Sequence, residues 1–523
     1  MPMRRHLRRF GKERFELKFP GSQGNDDGMP VKTLLMTWAL GLCLARVALA
    51  QALVPESLAA HVVNRLSIGP VPGEVERVRT IGIKAYVEEQ LNPDKLSEPL
   101  ALTERLAALK TQSMDTVNLF RTYGPKAPGG PRTRPTLDEI NEAKKKAAII
   151  VREAAEAKLW RAILSPRQLE ELLCDFWYNH FNVPASKGLD HLWVGSFERE
   201  AIRPYVLGNF EDMLQAVTRH PAMLISLENW QSASPDSQAG MGKQGSLVEM
   251  HARELLTAQT MGPDIRPKPQ DVNSLARILA GWTIGAPRTP QDTNGFLFDE
   301  TRHDSKEKTF LGHVIKPQGL AEGIEALRLL AAQPETARNI CGKLARFFLA
   351  YEPPKALVES MSKTFLETHG NIKSVLEVLF SSPEFLDPKY AGNKFKTPLR
   401  FVVSIVRASA RQVYEVRSLE EHLEWLSMPL YDSPDVSGYR DAREAWMGGD
   451  AMLKRLELAT QAGEGALPCW APGTYQAPAR LDPQALVQTM GLTLSPVTSK
   501  VIEGSPDAFK AGVLLGSPEG QQY

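Results

Sequence analysis

The sequence predicts a predominantly α-helical protein: a multi-helix globular body with one short irregular or β-like insertion near residues 285–312. Three observations carry that prediction. The stretch from Leu137 to Leu164 has neither Gly nor Pro and is rich in Ala, Glu, Lys and Leu, which lose least on entering a helix. Segments on both sides of it repeat apolar residues at helical spacing and open with start signals such as Ser165-Pro166. The helical spacing lapses between Gly285 and Gly312, where "GFLFDETRHDSKEKTFLG" alternates and predicts a short hairpin or extended loop.

Taken in order, the chain begins with a polar segment, residues 1–28, that reads as a doubtful N-terminal extension, with Met29 as a plausible start. Residues 29–50 pair a Lys with an apolar stretch and end in Ala48-Leu49-Ala50, the layout of a secretory signal peptide cleaved after Ala50. Arg8-Arg9 lies too far upstream of the apolar stretch for a twin-arginine signal. The mature protein is therefore expected to be periplasmic or extracellular, with no transmembrane segment after cleavage. Two short helices broken by Gly69-Pro70 and Pro72-Gly73 follow, then the basic, Pro/Gly-rich loop 122–136 and the long helix from Leu137. Helices continue through "SPRQLEELLCDFWYNHFNVP" and "REAIRPYVLGNFEDMLQAVTRHPAMLISLEN" to a polar loop at 231–246. Next come "LVEMHARELLTAQTMG" and "DVNSLARILAGWTI", the latter with Asp271 as its expected N-cap. Beyond the insertion, helices run to the C-terminus.

Composition narrows the function. The 523 residues are 43% hydrophobic and 24% charged, which is a globular balance. Lys plus Arg number 62 against 61 for Asp plus Glu, so no basic excess points to nucleic acid. There is no GxSxG elbow, P-loop or GxGxxG fingerprint, which disfavours nucleotide chemistry. After cleavage three cysteines remain: Cys174, Cys341 and Cys469. They are far apart with no CxxC, and read either as one disulfide plus a thiol or as three buried thiols.

The motifs "NRLSIGP", "DFWYNHF", "AIRPYVLGNFEDMLQAVTRHPAML", "ARELLTAQTMG", "DVNSLARILAGWT", "HDSKEKTFLG", "ICGKLARFF" and "KTPLRFVVSIVRA" occur in sequence. Together they resemble the bacterial domain-of-unknown-function family 1800, exported proteins without settled biochemistry, over about residues 55–523. The resemblance implies a partner, an exported family 1501 protein with a sulfatase- or phosphatase-like fold. Members read L-N-E-N-Y-A-R-E-L-L-E-L-H-T-L-G where this chain has Leu247–Gly262. Here Val248 and Met250 replace the two Asn, His251 the Tyr, Thr257 the third Glu and Gln259 the His. Whatever those residues do in the family, this chain does differently or not at all.

The candidate chemistry sits in three places. His303, Asp304 and Lys308 lie in a non-helical segment, where a His-Asp pair suits metal ligation or an oriented base and a Lys suits an anion. His180 in "FWYNHF" is a ligand, a general base or a core-edge histidine, beside Trp177 and Phe181, which read as core. Glu254 shares a helix face with His251. That pair lacks the third and fourth ligands a metal requires, so His251 reads as a partly buried, hydrogen-bonded histidine. Arg253, Asp271, Arg277 and Arg203 read as a structural ion-pair network, with Arg253 also able to pair with Glu249 across the surface.

The expected architecture is an N-terminal helical lobe, residues 51–262, and a C-terminal lobe, residues 263–523. A cleft between them would be lined by His180, Arg203, Glu254, Asp271, Arg277 and His303. Two functions follow. One is an exported scaffold or binding protein acting with a sulfatase-like partner. The other is a periplasmic hydrolase or oxidase assisted by a divalent metal at the His303/Asp304 loop.

Overall fold

The computed structural model describes residues 53–125, 136–241, 246–285, 294–471 and 479–523. The predicted extension and signal segment lie outside the described residues, as does most of the loop at 122–136. The fold is predominantly α: among the described residues, the only sheets are two antiparallel pairs of three-residue strands. Residues Val54–Tyr523 form one compact unit.

The helix Leu137–Leu164 is the longest element and keeps the bounds that its composition predicts. Its second half is buried nearly all round through Ala154, Ala155, Ala157, Leu159, Trp160 and Ala162, because other helices pack on several sides of it. Those neighbours include Leu100–Ala108, Val194–Phe197, Pro398–Ala408 and Arg417–Trp425. Many helices begin with Pro in the first turn, where its missing N–H costs nothing: Pro221, Pro269, Pro334, Pro398, Pro483 and Pro496. Side-chain caps from Asp115, Asn371, Thr397 and Ser495 close others.

Two predicted helix starts move. The helix after Leu164 begins at Gln168 rather than Pro166, because Ser165 Oγ accepts from the Arg167 N–H and donates to Glu98. The next displaced start is at Pro269, with Lys268 in the N-cap position. Asp271 is thus inside the first turn, and its carboxylate accepts from the Leu311 N–H (2.8 Å), pinning the insertion to the helix.

The insertion is two hairpins rather than one. Strand β1 (Trp282–Ile284) pairs with β2 (Phe296–Phe298), and β3 (Lys308–Phe310) pairs with β4 (His313–Ile315). Residues 286–293, between β1 and β2, lie outside the described residues. Trp282 therefore leaves the helical segment to which its spacing assigned it. It is fully buried as core, as are Trp160 and Trp177. Near the C-terminus the helices Gly449–Gly463 and Lys510–Gly516 approach backbone to backbone. A Cβ on Gly463 would stand 2.4 Å from the Gly512 nitrogen, so glycine is required there.

Candidate functional site: a cation-lined cavity

A cavity of about 670 Å³, within the range of small-molecule sites, opens between helices and loops of the described residues. One wall is the C-terminal end of the helix Gln168–His180, carrying Phe176, Asn179 and His180. Facing it is the helix Pro334–Phe348, which buries Ile340, Cys341, Leu344 and Phe348 in the core. Its Lys343 and Phe347, off that buried stripe, reach the cavity. The start of the helix Pro398–Ala408 supplies Arg400, and the loop 428–442 closes the remaining side.

Local hydrogen bonds hold that loop. Asn179 donates to the Tyr439 carbonyl (2.8 Å) and accepts from the Tyr439 N–H (2.6 Å). Asn182 donates to the Asp435 carbonyl (2.7 Å). Between them Gly438 has φ +76°, and a Cβ there would stand 2.2 Å from the Asn179 carbonyl oxygen. The loop can lie this close to the helix end only because position 438 lacks a side chain.

The cavity carries a positive excess. Lys158, Arg338, Lys343, Arg346, Arg400 and Arg440 line it, against Asp175, Asp264, Asp432 and Asp441. Two of those carboxylates are spent internally: Asp175 on Lys158 (2.9 Å) and Asp441 on Lys394 (2.7 Å). Arg338 pairs with Glu335 at the surface (2.7 Å). Arg400 is buried, donates to the Ser67 carbonyl (3.1 Å) and stacks on the Tyr523 ring (4.2 Å). Lys343 Nζ lies 3.1 Å from the Ala258 carbonyl and 3.1 Å from His180 Nδ1. His180 Nε2 lies 3.1 Å from the Gln259 carbonyl, which can only accept. The proton therefore sits on Nε2, and Nδ1 accepts from Lys343. Burial, reinforced by the Lys343 charge, holds His180 neutral, its pKa well below the usual histidine value. Burial holds the Lys343 ammonium down at about 8.

The residues singled out by sequence are dispersed. Of the expected cleft set, only His180 lines this cavity. The other five do not join it.

His303, Asp304 and Lys308 form a separate buried cluster against the start of the helix Leu320–Ala331. His303 Nδ1 is 2.9 Å from the Ala280 carbonyl and Nε2 is 3.0 Å from Glu322 Oε1, so both ring nitrogens are engaged. Lys308 Nζ donates to Glu322 Oε2 (2.6 Å) and to the Asp304 carbonyl. The Asp304 carboxylate accepts from Ser234, Arg277 and the Lys306 N–H. Arg277 also pairs with Asp236. Among the described residues, no group of three or more His, Cys, Asp or Glu is placed to hold a metal ion. A metal at His303 would have to displace one of those hydrogen bonds.

Arg203 belongs to a third cluster. Its guanidinium grips Glu171 with two bonds (2.7 and 2.9 Å) and Glu198 with a third (2.9 Å). Burial opposes the Glu198 charge, but Lys158 and Arg203 overcome it and hold that carboxyl at about 2. Arg253 is exposed and pairs with Glu249 (2.7 Å), the surface pairing its spacing allows. It therefore does not reach Asp271, Arg277 or the 303–308 loop. Glu254 is half-buried, and burial raises its pKa.

Reading by residue type overlooked Lys343, Arg346, Arg400, Asn182 and Arg440. A signal for three of them, Lys343, Arg346 and Arg400, was present: "ICGKLARFF" and "KTPLRF" set cations among apolar residues on amphipathic helices. Such placement is costly unless the charge meets something. For the loop residues no local signal existed.

A family model described as "Protein of unknown function (DUF1800)" matches residues 61–521. No curated protein matches, and no solved structure matches.

Proposed function

The chain belongs to the DUF1800 family of proteins of unknown function, and from that premise we propose that it is an exported binding protein that captures an organic anion bearing an apolar or aromatic part. The observation that carries this reading is the cavity's charge imbalance. Lys343, Arg346, Arg400 and Arg440 line it, with no carboxylate among the described residues bonded to their side chains, among the rings of Phe176, Phe347 and Tyr439. Arg346 and Arg440 are exposed, whereas Lys343 is half-buried and Arg400 buried. The latter two, so desolvated, interact with an anion more strongly than they would in water. Export rests on the signal-like residues 29–50. The family 1501 partner implied by resemblance would act alongside this site, and co-purification from the native envelope tests it.

The experiment is a thermal-shift screen of aromatic carboxylates, sulfate esters and phosphate esters, with neutral and cationic analogues as controls, followed by calorimetric titration of each hit. Anions are expected to raise the melting temperature, and Arg440→Ala to weaken their affinity by about tenfold, or about 1.4 kcal/mol. A melting temperature unmoved by every anion sinks the reading. In this reading the His303–Asp304–Lys308 cluster is scaffold. A stoichiometric transition metal in the purified protein, lost in His303→Ala, would restore the metal-assisted hydrolase or oxidase in its place.

A further inference from the structure

Three lysines have their pKa lowered by burial: Lys343, Lys394 and Lys396. Lys394 is bonded to Asp441, and Lys396 donates to the Gly520 carbonyl away from the cavity. Lys343 differs from both, because it lines the cavity and has no carboxylate within ion-pair distance among the described residues. Its nitrogen is held at two points, by the Ala258 carbonyl and by His180 Nδ1, each at 3.1 Å. A tetrahedral amine so held has one remaining position. The imidazole beside it presents a lone pair rather than a proton, because its Nε2–H is committed to the Gln259 carbonyl. Phe176 and Phe181 flank that imidazole at ring distances of 6.4 and 4.5 Å, keeping it dry and fixed.

We propose that Lys343 is a nucleophile that condenses with the carbonyl group of a 2-oxo acid to form an imine, with His180 as the proton carrier. This rests on the anion-binding reading of the same cavity and deepens it: the carboxylate is the anion, and the adjacent carbonyl is the reacting group. The lysine lone pair attacks the carbonyl carbon, forming the C–N bond as the C=O π pair moves to oxygen. His180 Nδ1 takes a proton from the resulting ammonium and returns it to that oxygen. Loss of the second N–H proton to the same oxygen releases water and leaves the C=N bond. Two hydrogens and one oxygen leave as water, and nothing is oxidised or reduced. An amine with pKa about 8 is about half unprotonated at pH 8, against about 0.3% for an ordinary lysine, which makes attack feasible.

The test incubates the purified protein at pH 8 with phenylpyruvate and cyanoborohydride, which reduces imines to stable secondary amines, and maps the modified peptide by mass spectrometry. The expected result is one adduct per chain, on Lys343, forming at least about tenfold faster than on exposed lysines such as Lys145, and absent in Lys343→Arg. Melting-temperature shifts with phenylpyruvate are measured in parallel on the unmodified protein. Stabilisation without an adduct at Lys343 overturns the imine and leaves the binding reading standing. Neither stabilisation nor adduct overturns the imine and counts against the binding reading as well. Label spread evenly over surface lysines overturns the imine in either case.

Discussion

Four histidines are buried in the neutral form, and they couple this protein's stability to acid. Burial pushes His61 down to about 4, and His220 and His251 to about 3; His180 lies well below its usual value. In each case the unfolded chain binds the proton more tightly than the folded one. Stability contributed by these groups is therefore complete above about pH 6.5 and falls as the pH drops toward 3. His251 is the extreme case, fully buried with no hydrogen-bond partner at either ring nitrogen among the described residues. The sequence predicted a partly buried, hydrogen-bonded histidine here; the structure buries it fully, among neighbours that offer it no polar atom. Replacing an unbonded buried polar group with an apolar one of similar shape removes its desolvation cost. His251→Phe is expected to gain about 2–3 kcal/mol over wild type at pH 4.5 relative to the difference at pH 7, read by urea denaturation at both pH values. Parallel pH profiles for the two proteins would refute the assignment.

Elements are joined here by buried charge as well as by apolar contact. Glu322 sits at the third position of its helix, accepts from the Gln318 and Gly319 N–H groups, and also receives His303 and Lys308. One carboxylate thus caps a helix and anchors the segment leading into the β3–β4 hairpin. His303→Ala leaves the Ala280 carbonyl and one Glu322 oxygen each short of a bond. The expected cost is about 2–3 kcal/mol of unfolding free energy, with anion binding at the distant cavity retained. Unchanged stability with lost function would mark His303 as chemical instead. The sequence singled out His303, Asp304 and Lys308 because charged residues in a non-helical segment stand out, and Arg277 as a helical cation in need of a partner. It missed Glu322, Ser234 and Asp236, which come from other elements and look ordinary where they stand.

At the scale of the molecule, the three described cysteines are buried and free, which answers whether they form a bridge. Burial pushes the Cys341 and Cys469 thiols up to about 12, and raises Cys174 well above the usual thiol value, so none is a thiolate near neutrality. The native protein is expected to react with no equivalent of a thiol reagent and the denatured protein with three, with its melting temperature indifferent to reductant. Four equivalents on denaturation would mean that Cys43, in the signal-like residues 29–50, had been retained. Fast reaction of the native protein would contradict the burial.

Read alone, the sequence determined the helical class, the long central helix, the family, the presence of a β-like insertion near residues 285–312 and the core placement of Trp177 and Phe181. These follow from spacing and composition within a dozen residues, where propensity and periodicity act. Tertiary structure decided which charges meet: that Arg203 finds Glu171 and Glu198, that Arg253 stays at the surface, and that His180 faces Lys343 rather than His303. It also built the cavity from seven segments spread between residues 158 and 523. No local rule reports such a meeting, because the energy of a buried charge depends on partners that only the folded chain brings within a few ångströms.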